Sequence, residues 1–288
     1  NGFALTAMAY QGRWTSTDQV PQRALDQGLI GRYDSLDPPA AGVTQRYSLS
    51  GEWAQVQDGV RRKTEWWALQ SSLDLWSNFT YCLSDAQATC PMGDQFQQSE
   101  RRTAAGGAHS RHWASTWQGL DVRHAWGVQA RADDLAPVGL YRTHQRERLG
   151  TVREDRVQQQ SLGLWAESEL RWNNCLRTTA GVRGDAYRFQ VQSNLAANSG
   201  QAQDTLLSPK LSVVLGPWRG MEFYANHGQG FHANDARGTT LRVDPADPGT
   251  AAQAVRPLVR TRGRELGLRA GQDLLNGAHR AVRGLGAV

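Results

Sequence analysis

The sequence lacks any long hydrophobic run. No stretch of its 288 residues approaches the ~20 consecutive apolar residues that a membrane-spanning helix requires, and the mean hydropathy is -0.59. Helical membrane proteins are therefore excluded. The chain begins at Asn1-Gly2-Phe3, without the basic and apolar regions of a signal peptide and without Met. We therefore expect a mature or truncated piece.

Lysine and cysteine are also scarce. Of the 32 Lys and Arg residues only Lys63 and Lys210 are lysine, and the arginines are interspersed with Asp and Glu instead of forming one stripe. We therefore expect no nucleic-acid partner, despite the net charge of +5. Three cysteines are too few, and wrongly spaced, for a zinc site with paired ligands. Cys82 and Cys90 could close a loop disulfide in an oxidising compartment, or they and Cys175 could be ordinary thiols.

Aromatic residues, in contrast, are plentiful. The 11 Trp, 7 Tyr and 6 Phe need apolar surroundings, which a disordered chain does not offer. Apolar residues recur at every second position in run after run, which predicts two-faced strands. The runs are Tyr47, Leu49 and Trp53; Leu69, Leu73, Leu75 and Phe79; Leu120, Val122, Trp126 and Val128; Leu164, Ala166, Leu170 and Trp172; and Leu176, Ala180, Val182 and Ala186.

The length of these runs favours strands that cross a membrane. They extend over roughly 10 to 15 residues, more than the usual 5 to 6 of a soluble strand and enough to cross a bilayer at a tilt. We expect the apolar positions to face lipid and the polar ones to face an enclosed interior. Aromatic residues at strand ends fit two membrane interfaces, although they also pack soluble barrels: Trp14, Trp53, Trp76, Phe79, Trp172 and Tyr187.

Connections alternate between short turns and long loops, as in an outer-membrane barrel with periplasmic turns and extracellular loops. Short turns are expected at 58–59, 115–119, 173–174 and 216–220, and long loops at 15–44, 80–95, 133–156, 193–205 and 231–262. About ten strands result. They are expected at 2–14, 45–57, 63–79, 96–112, 119–131, 157–172, 176–191, 206–215, 221–230 and 263–271.

One strand, turn and strand carries a specific resemblance. Leu207-Ser208-Pro209-Lys210-Leu211 begins a strand that returns, after a Gly-Pro turn, through the run from Glu222 to Gly238, which contains Tyr224, Asn226 and Gly230-Phe231. This pattern is similar to that of TonB-dependent outer-membrane receptors. Gly263 to Arg269, Gly181 to Phe189, Ser16 to Pro21, Asn78 to Thr80 and Gly93 to Phe96 also resemble segments of that family.

The resemblance implies an all-β fold, an antiparallel transmembrane β-barrel, here incomplete with about ten strands of a barrel of about 22. It covers residues 1–271, and we expect the tail 272–288 to be atypical, aberrant or disordered. The implied location is the bacterial outer membrane, with outer-membrane lipid as one partner. The implied activity is uptake of a scarce nutrient such as an iron-siderophore chelate or cobalamin. It is driven through TonB, which binds a plug domain that this chain does not contain.

Catalytic and metal sites are not expected. His109 and His112 are three apart in a strand, so they point to opposite faces and cannot share a metal. No Ser-His-Asp grouping or nucleophile elbow is present, so we expect neither an enzyme nor a cofactor. A small-molecule or metal-chelate ligand would meet loop polar groups at the extracellular mouth. The candidates are Asp18, Gln19, Arg23, His227, His232, Asn234 and Asp235.

Two other classes of function remain open on the sequence. A passive porin-like channel or adhesin barrel is favoured if the lumen has no plug and the piece closes alone. A soluble β-rich binding module is favoured if the chain is monomeric without detergent, because a lipid-facing band would aggregate in water.

Overall fold

Long antiparallel strands dominate the computed structural model, which describes residues 1–16, 19–35, 37–78, 94–218, 220–272 and 281–283. The strands are β1 (Gly2–Thr15), β2 (Ala41–Gln57), β3 (Val60–Ser77), β4 (Phe96–Trp117), β5 (Leu120–His144), β6 (Glu147–Asn173), β7 (Leu176–Ser193), β8 (Gly200–Trp218), β9 (Met221–Ala233), β10 (Leu258–Gln272) and β11 (Ala281–Arg283). Short helical segments are α1 (Gln22–Asp26), a 3-10 turn (Ala196–Asn198) and α2 (Ala236–Thr239). None of these described helices has the length and apolar character needed to span a membrane.

Every strand pairs with its neighbours in chain order, which gives one sheet ordered β1 to β11. All the pairs are antiparallel, and the described ladders leave β1 unpaired on its other side, so the sheet is an incomplete barrel. The predicted fold class is confirmed. The predicted tail falls on 273–280 and 284–288, which lie outside the described residues, apart from the short β11.

Tight turns join β2 to β3 and β4 to β5 at one end of the sheet, called here the short-turn end. Asp58 and Gly59 have φ of 51° and 73°, and Gln118 and Gly119 have φ of 50° and 79°. Two consecutive residues with positive φ match the right-handed twist of the flanking strands, which favours a two-residue hairpin. The strand ends that the longer connections join lie at the opposite end, called here the long-loop end: Thr15 and Ala41, Ser77 and Phe96, and Ala233 and Leu258.

The predicted loop at 133–156 is wrong, because β5 and β6 continue through it to a two-residue turn at Gln145 and Arg146. Consecutive charged residues, Arg146 to Arg148 and Arg153 to Arg156, obscured the alternating strand pattern. The pairing is also irregular between Leu135 and Val138, where the register shifts. The loop predicted at 193–205 is shorter in the structure, because β8 begins at Gly200.

Register assigns each residue to one of two faces, because directly opposed residues in an antiparallel ladder lie on the same side. The outer face carries the exposed apolar side chains, with Leu164 60% exposed and Leu211 50% exposed. Its other large exposed members are Phe3, Leu5, Tyr47, Leu49, Trp53, Trp66, Leu162, Val182, Leu207, Leu215, Phe223, Leu266 and Leu268.

The predicted face is wrong for β3. Leu69, expected to face lipid, is opposite Ala104, which is 1% exposed, and therefore lies on the inner face together with Leu73 and Leu75. Trp66 takes the outer position instead. Because β3 has apolar residues of both parities, alternation alone could not decide which set faces out.

The buried core lies on the inner face near the long-loop end. Phe189 and Val191 of β7 pack there with Leu135, Val138 and Val157. They are covered by Ala236 of α2, which is 2% exposed. Burial of these side chains is the main apolar contact between the sheet and the connection that contains α2.

Phe189→Ala tests this core. Phe189 is 0% exposed, so its truncation leaves a cavity, and we expect the free energy of unfolding in urea to fall by about 3–5 kcal/mol. Leu29→Ala is the control, because Leu29 is 74% exposed and its loss should change stability by less than about 0.5 kcal/mol. Equal effects of the two substitutions would contradict the assignment.

Candidate functional site

The inner face of the sheet carries ion pairs between oppositely charged side chains. Arg131 binds Asp133 with a nitrogen–oxygen distance of 2.6 Å, and Arg183 binds Asp185 at 2.7 Å. Both carboxylates are almost fully buried, so each needs its cation as a partner. Further pairs on this face are Lys63 with Glu65, Lys210 with Glu167, Arg123 with Glu169, and Arg177 with Glu222.

The connection from β9 to β10, residues 234–257, folds over this face and is called here the inner loop. The ladder between β8 and β9 ends at Lys210 and Gly228, while β9 and β10 stay paired as far as Ala233 and Leu258. The part of the β9–β10 hairpin beyond Gly228 and Gly263 therefore no longer pairs with β8. Phe231 then meets Tyr187 of β7 edge to face, with ring centroids 5.7 Å apart.

Asn198, in the turn between β7 and β8, anchors the inner loop. Its side chain is 0% exposed; its Oδ1 accepts from the backbone N–H groups of Arg242 (2.8 Å) and Val243 (3.0 Å). Its amide nitrogen donates to the Val243 carbonyl at 3.0 Å. The Thr240 hydroxyl donates to the Asn198 carbonyl at 2.8 Å. Four hydrogen bonds to Asn198 thus hold the inner loop at residues Thr240, Arg242 and Val243.

A cavity of about 340 Å³ lies between the inner loop and strands β4 to β7. Its walls combine three arginines with three carboxylates and uncharged hydrogen-bonding groups, so it is suited to a polar ligand that both donates and accepts. The lining residues that carry this character are Glu100, Arg102, Arg131, Asp133, Gln159, Ser161, Tyr187, Asn234, Asp235 and Arg237.

Asp235 and Arg237 form the loop side of the cavity. The Asp235 carboxylate accepts from the Arg237 backbone N–H at 2.9 Å, which caps α2, and Arg237 Nη2 lies 2.6 Å from Asp235 Oδ2. Burial opposes ionisation of Asp235, but the hydrogen bonds from Arg237 outweigh it and hold the pKa of Asp235 below its usual value. The same hydrogen bond raises the pKa of Arg237. Both groups are therefore charged at neutral pH.

A second loop cluster occupies the other side of the long-loop end. Asp37 accepts hydrogen bonds from the side-chain amides of Asn78 (3.0 Å) and Gln95 (2.9 Å). Arg146, in the β5–β6 turn, donates to the Pro39 carbonyl at 2.7 Å. These bonds join the β1–β2 loop to strands β3 to β6.

The structure separates the predicted ligand residues. Asn234 and Asp235 line the cavity. His232 lies on the β9 face opposite Phe231, and Gln19 and Arg23 are exposed in the β1–β2 loop. His227 lies on the outer face, directly opposite Leu211 of β8 and away from the cavity. Asp18, Cys82 and Cys90 lie outside the described residues.

Sequence reasoning missed most of the cavity. Arg102, Arg131, Asp133 and Tyr187 occupy inner-face positions of three different strands, and nothing in the sequence distinguishes them from their polar neighbours. Arg237 could have been predicted from the sequence. Asp235 is a preferred N-cap residue, and Arg237 lies two positions later, in the first turn of the helix that Asp235 caps. His109 and His112 do lie on opposite faces, as predicted. No cluster of His, Cys, Asp and Glu within the described part of the chain could hold a metal ion.

Asn198→Ala tests the anchor of the inner loop. Its loss leaves the Arg242 and Val243 amides without their acceptor, at a cost of about 1–3 kcal/mol, so we expect their hydrogen exchange to accelerate about 10- to 100-fold. The matched control is Asn173→Ala, which removes an acceptor of the Cys175 amide at the short-turn end and should leave those two amides protected. Unchanged exchange in Asn198→Ala would contradict the anchor.

Tyr141 supplies a pH test at the long-loop end. It is 0% exposed and donates to Glu154 at 2.7 Å; burial, and then the Glu154 carboxylate, raises the pKa of Tyr141 to about 12. Because the pKa is raised on folding, protonated Tyr141 stabilises the folded state. This contribution is fully present at pH values below about 10, the pKa of tyrosine in the unfolded chain. It is lost as the pH rises through about 12.

The check is the tyrosinate absorbance difference between the wild type and Tyr141→Phe. It should titrate near pH 12, and Glu154→Gln should lower the midpoint, because the charge that disfavours the phenolate is gone. A midpoint near the usual value of about 10 would show that Tyr141 is not buried beside that carboxylate.

Comparison with known proteins agrees with this architecture. The family model described as TonB dependent receptor-like, beta-barrel, matches residues 3–280. No curated protein sequence matches significantly. The ferric citrate transporter FecA, in its unliganded crystal structure, is similar with a TM-score of 0.72 and 12% identity, over 93% of this chain and 38% of FecA.

Two further structures show the same relation. The ferric yersiniabactin uptake receptor FyuA from Yersinia pestis has a TM-score of 0.59 and 15% identity over 93% of this chain and 40% of its own. The open form of the ferric-catecholate import receptor Fiu from E. coli K12 has a TM-score of 0.61 and 8% identity, over 93% and 46%. The chain thus spans less than half the length of these proteins, and at such identities the likeness concerns the fold. The family match over residues 3–280, together with the antiparallel sheet, shows that the chain belongs to the TonB-dependent receptor-like β-barrel family.

Proposed function

We propose that this chain is part of the barrel of a bacterial outer-membrane receptor that takes up a bulky, scarce solute with energy supplied through TonB. The observation that carries the proposal is the contrast between the two faces of one sheet within a chain of this family. The outer face exposes large apolar side chains, whereas the inner face carries buried ion pairs and the cavity under the inner loop. A lipid environment outside and a hydrated interior inside stabilise that contrast.

The similar structures suggest the solute class. FecA is a ferric citrate transporter, and FyuA is a ferric yersiniabactin uptake receptor. We infer that the ligand here is a metal chelate that presents carboxylate, hydroxyl or amide oxygens. Such groups can accept from Arg237, Asn234 and Gln159, which line the cavity. In the whole receptor, a plug domain that binds TonB would complete the transport path.

A passive porin-like channel is the second candidate, favoured by the polar inner face alone. The two differ in energy dependence, since a channel conducts without TonB. A soluble binding module does not fit an outer face on which Leu164, Leu211 and Leu266 are all at least half exposed, because such a patch would associate in water.

Uptake by cells that contain the intact protein tests the proposal. We expect the deletion strain to lose accumulation of one radiolabelled iron chelate from a panel of ferric citrate, ferric yersiniabactin and a ferric catecholate. A protonophore should abolish uptake in the wild type. Uptake that continues at the same rate with the protonophore would favour the passive channel, and no loss with any probe would contradict the iron-chelate class.

Substitution within the cavity tests the ligand site. Arg237→Gln combined with Asn234→Ala should raise the half-saturating chelate concentration about 10-fold, because a charge-assisted hydrogen bond contributes about 1.5–3 kcal/mol. The control is Gln203→Ala, an exposed outer-face residue of β8 that should leave uptake unchanged. Equal behaviour of the two variants would place the ligand elsewhere.

A further inference from the structure

Charges in the wall of the cavity under the inner loop are matched pair by pair. Arg131 donates twice to Asp133, from Nε to Oδ2 at 2.6 Å and from Nη2 to Oδ1 at 2.8 Å. Arg102 Nε lies 3.2 Å from Glu100 Oε1. Together with the ion pair that caps α2, three arginines and three carboxylates line the cavity. The charged side chains of the wall therefore carry no net formal charge.

Two of these arginines are held firmly by their carboxylates. Arg131 also stacks on Trp67, with its guanidinium carbon 5.3 Å from the ring centroid. Asp133 is 6% exposed, so an Arg131 that turned to a ligand would leave a buried carboxylate without its cation. Arg237 binds both oxygens of Asp235, with Nε 3.1 Å from Oδ1 and Nη2 2.6 Å from Oδ2. A ligand carboxylate would have to compete with these contacts.

The uncharged groups of the wall, in contrast, have free hydrogen-bonding capacity. Within the described part of the chain, the side chains of Gln159 and Ser161 and the hydroxyl group of Tyr187 have no hydrogen-bond partner. Ser161 and Tyr187 are direct partners in the β6–β7 ladder, so their Cβ atoms are about 5 Å apart. Gln159 lies on the same face of β6, about 7 Å along the strand from Ser161. These three side chains form a compact group of donors and acceptors, called here the neutral patch.

A carboxylate beside the neutral patch has no cation. Asp204 of β8 is directly opposite Tyr187 in the β7–β8 ladder and lies on the same inner face. Its Oδ1 accepts from the Thr205 backbone N–H at 2.8 Å, and the ion pairs of the described residues do not include it. The unmatched charge next to the neutral patch is therefore negative, which opposes the entry of an anionic group.

The size of the cavity limits what it can hold. Its volume of about 340 Å³ is near the lower end of the range of ligand pockets, roughly 300–1,000 Å³, whereas the proposed solute is bulky. We therefore expect the cavity to accept one arm of a chelate, with the metal centre outside it. A carboxamide or hydroxyl group on that arm both donates and accepts, which matches Gln159, Ser161 and Tyr187.

We propose that the cavity binds an uncharged arm of the chelate, bearing amide or hydroxyl groups, through the neutral patch and excludes an arm that ends in a free carboxylate. A carboxylate would lose its hydration without gaining a cation, because the arginines of the wall are already paired. Arg237 retains the hydrogens of Nη1 for a neutral oxygen, and that contact leaves its ion pair intact. This proposal rests on the proposed function and narrows its ligand class.

Binding of two matched iron chelates to the intact receptor in detergent tests the proposal. The probes are the ferric complexes of catechol-type dihydroxybenzoylglycine, whose arms end in a carboxylate, and of its glycinamide analogue, whose arms end in a carboxamide. Both hold iron through the same catechol oxygens and differ only at the end of the arm. Titration followed by tryptophan fluorescence should give a Kd about 10-fold lower for the carboxamide probe. Equal affinities, or a preference for the carboxylate, would overturn the proposal.

Gln159→Leu tests the neutral patch itself. The substitution removes the amide and keeps most of the side-chain volume. We expect the Kd of the carboxamide probe to rise about 5-fold, because a hydrogen bond to the arm is lost, while the Kd of the carboxylate probe changes little. An unchanged Kd for the carboxamide probe would show that the arm does not bind at the neutral patch.

Asp235→Asn should reverse the discrimination. The substitution removes the charge that holds Arg237, while the cap of α2 is kept, because Asn and Asp are equally good N-cap residues. The released guanidinium group should lower the Kd of the carboxylate probe at least about 5-fold. The matched control is Asp134→Asn, which removes the same charge from an outer-face pair with Arg156 and should leave both affinities unchanged. Equal gains in the two variants would overturn the proposal, since loss of negative charge anywhere would then suffice.

Failure of this inference and failure of the proposed function are distinguishable. If uptake of an iron chelate depends on the protein, but the purified receptor prefers the carboxylate probe or binds neither probe, only the selection of an uncharged arm is overturned. If uptake of every iron chelate is independent of the protein, the proposed function fails and this inference fails with it. Melting temperatures of the variants, compared with the wild type, identify any variant that has lost its fold.

Discussion

Backbone pairing between strands that are neighbours in the chain is the constraint on which the rest of this structure depends. Each antiparallel ladder places directly opposed residues on one side, so eleven strands share two continuous faces. A shift of one residue in the β6–β7 ladder would put Leu164 and Asp185 on the same face. The apolar outer face and the ion-paired inner face are therefore consequences of the same register.

The interruption of that pairing generates the candidate site. Where β9 separates from β8 beyond Gly228, the hairpin turns over the inner face and brings α2 onto Phe189. Asn198 then fixes the loop from the opposite side. The cavity is thus enclosed by the sheet on one side and by a loop with hydrogen bonds of its own on the other, which orders its donors before any ligand arrives.

Most of the strands and the fold class followed from the sequence. Runs such as Leu162 to Trp172 alternate over more residues than a soluble strand needs, and the motif around Ser208 to Gly230 resembles one family closely. The failures have physical causes. The charged stretch from Arg142 to Asp155 forms strands because pairing and a two-residue turn override its polarity, and β3 carries apolar residues of both parities, so Leu69 was assigned to the wrong face.

The sequence by itself determined the family, the two-residue period and the hairpin order, because these depend on local patterns and on short-range turns. Only the tertiary structure decided which parity faces out, how far β5 and β6 extend, and which residues meet at the cavity. Arg102, Tyr187 and Arg237 are far apart in the chain and become neighbours through cross-strand register and the turned-in hairpin. The location of His227 was decided in the same way: a loop-end histidine in the sequence is a mid-strand, outward-facing residue once its ladder partners Leu211 and Arg264 are fixed.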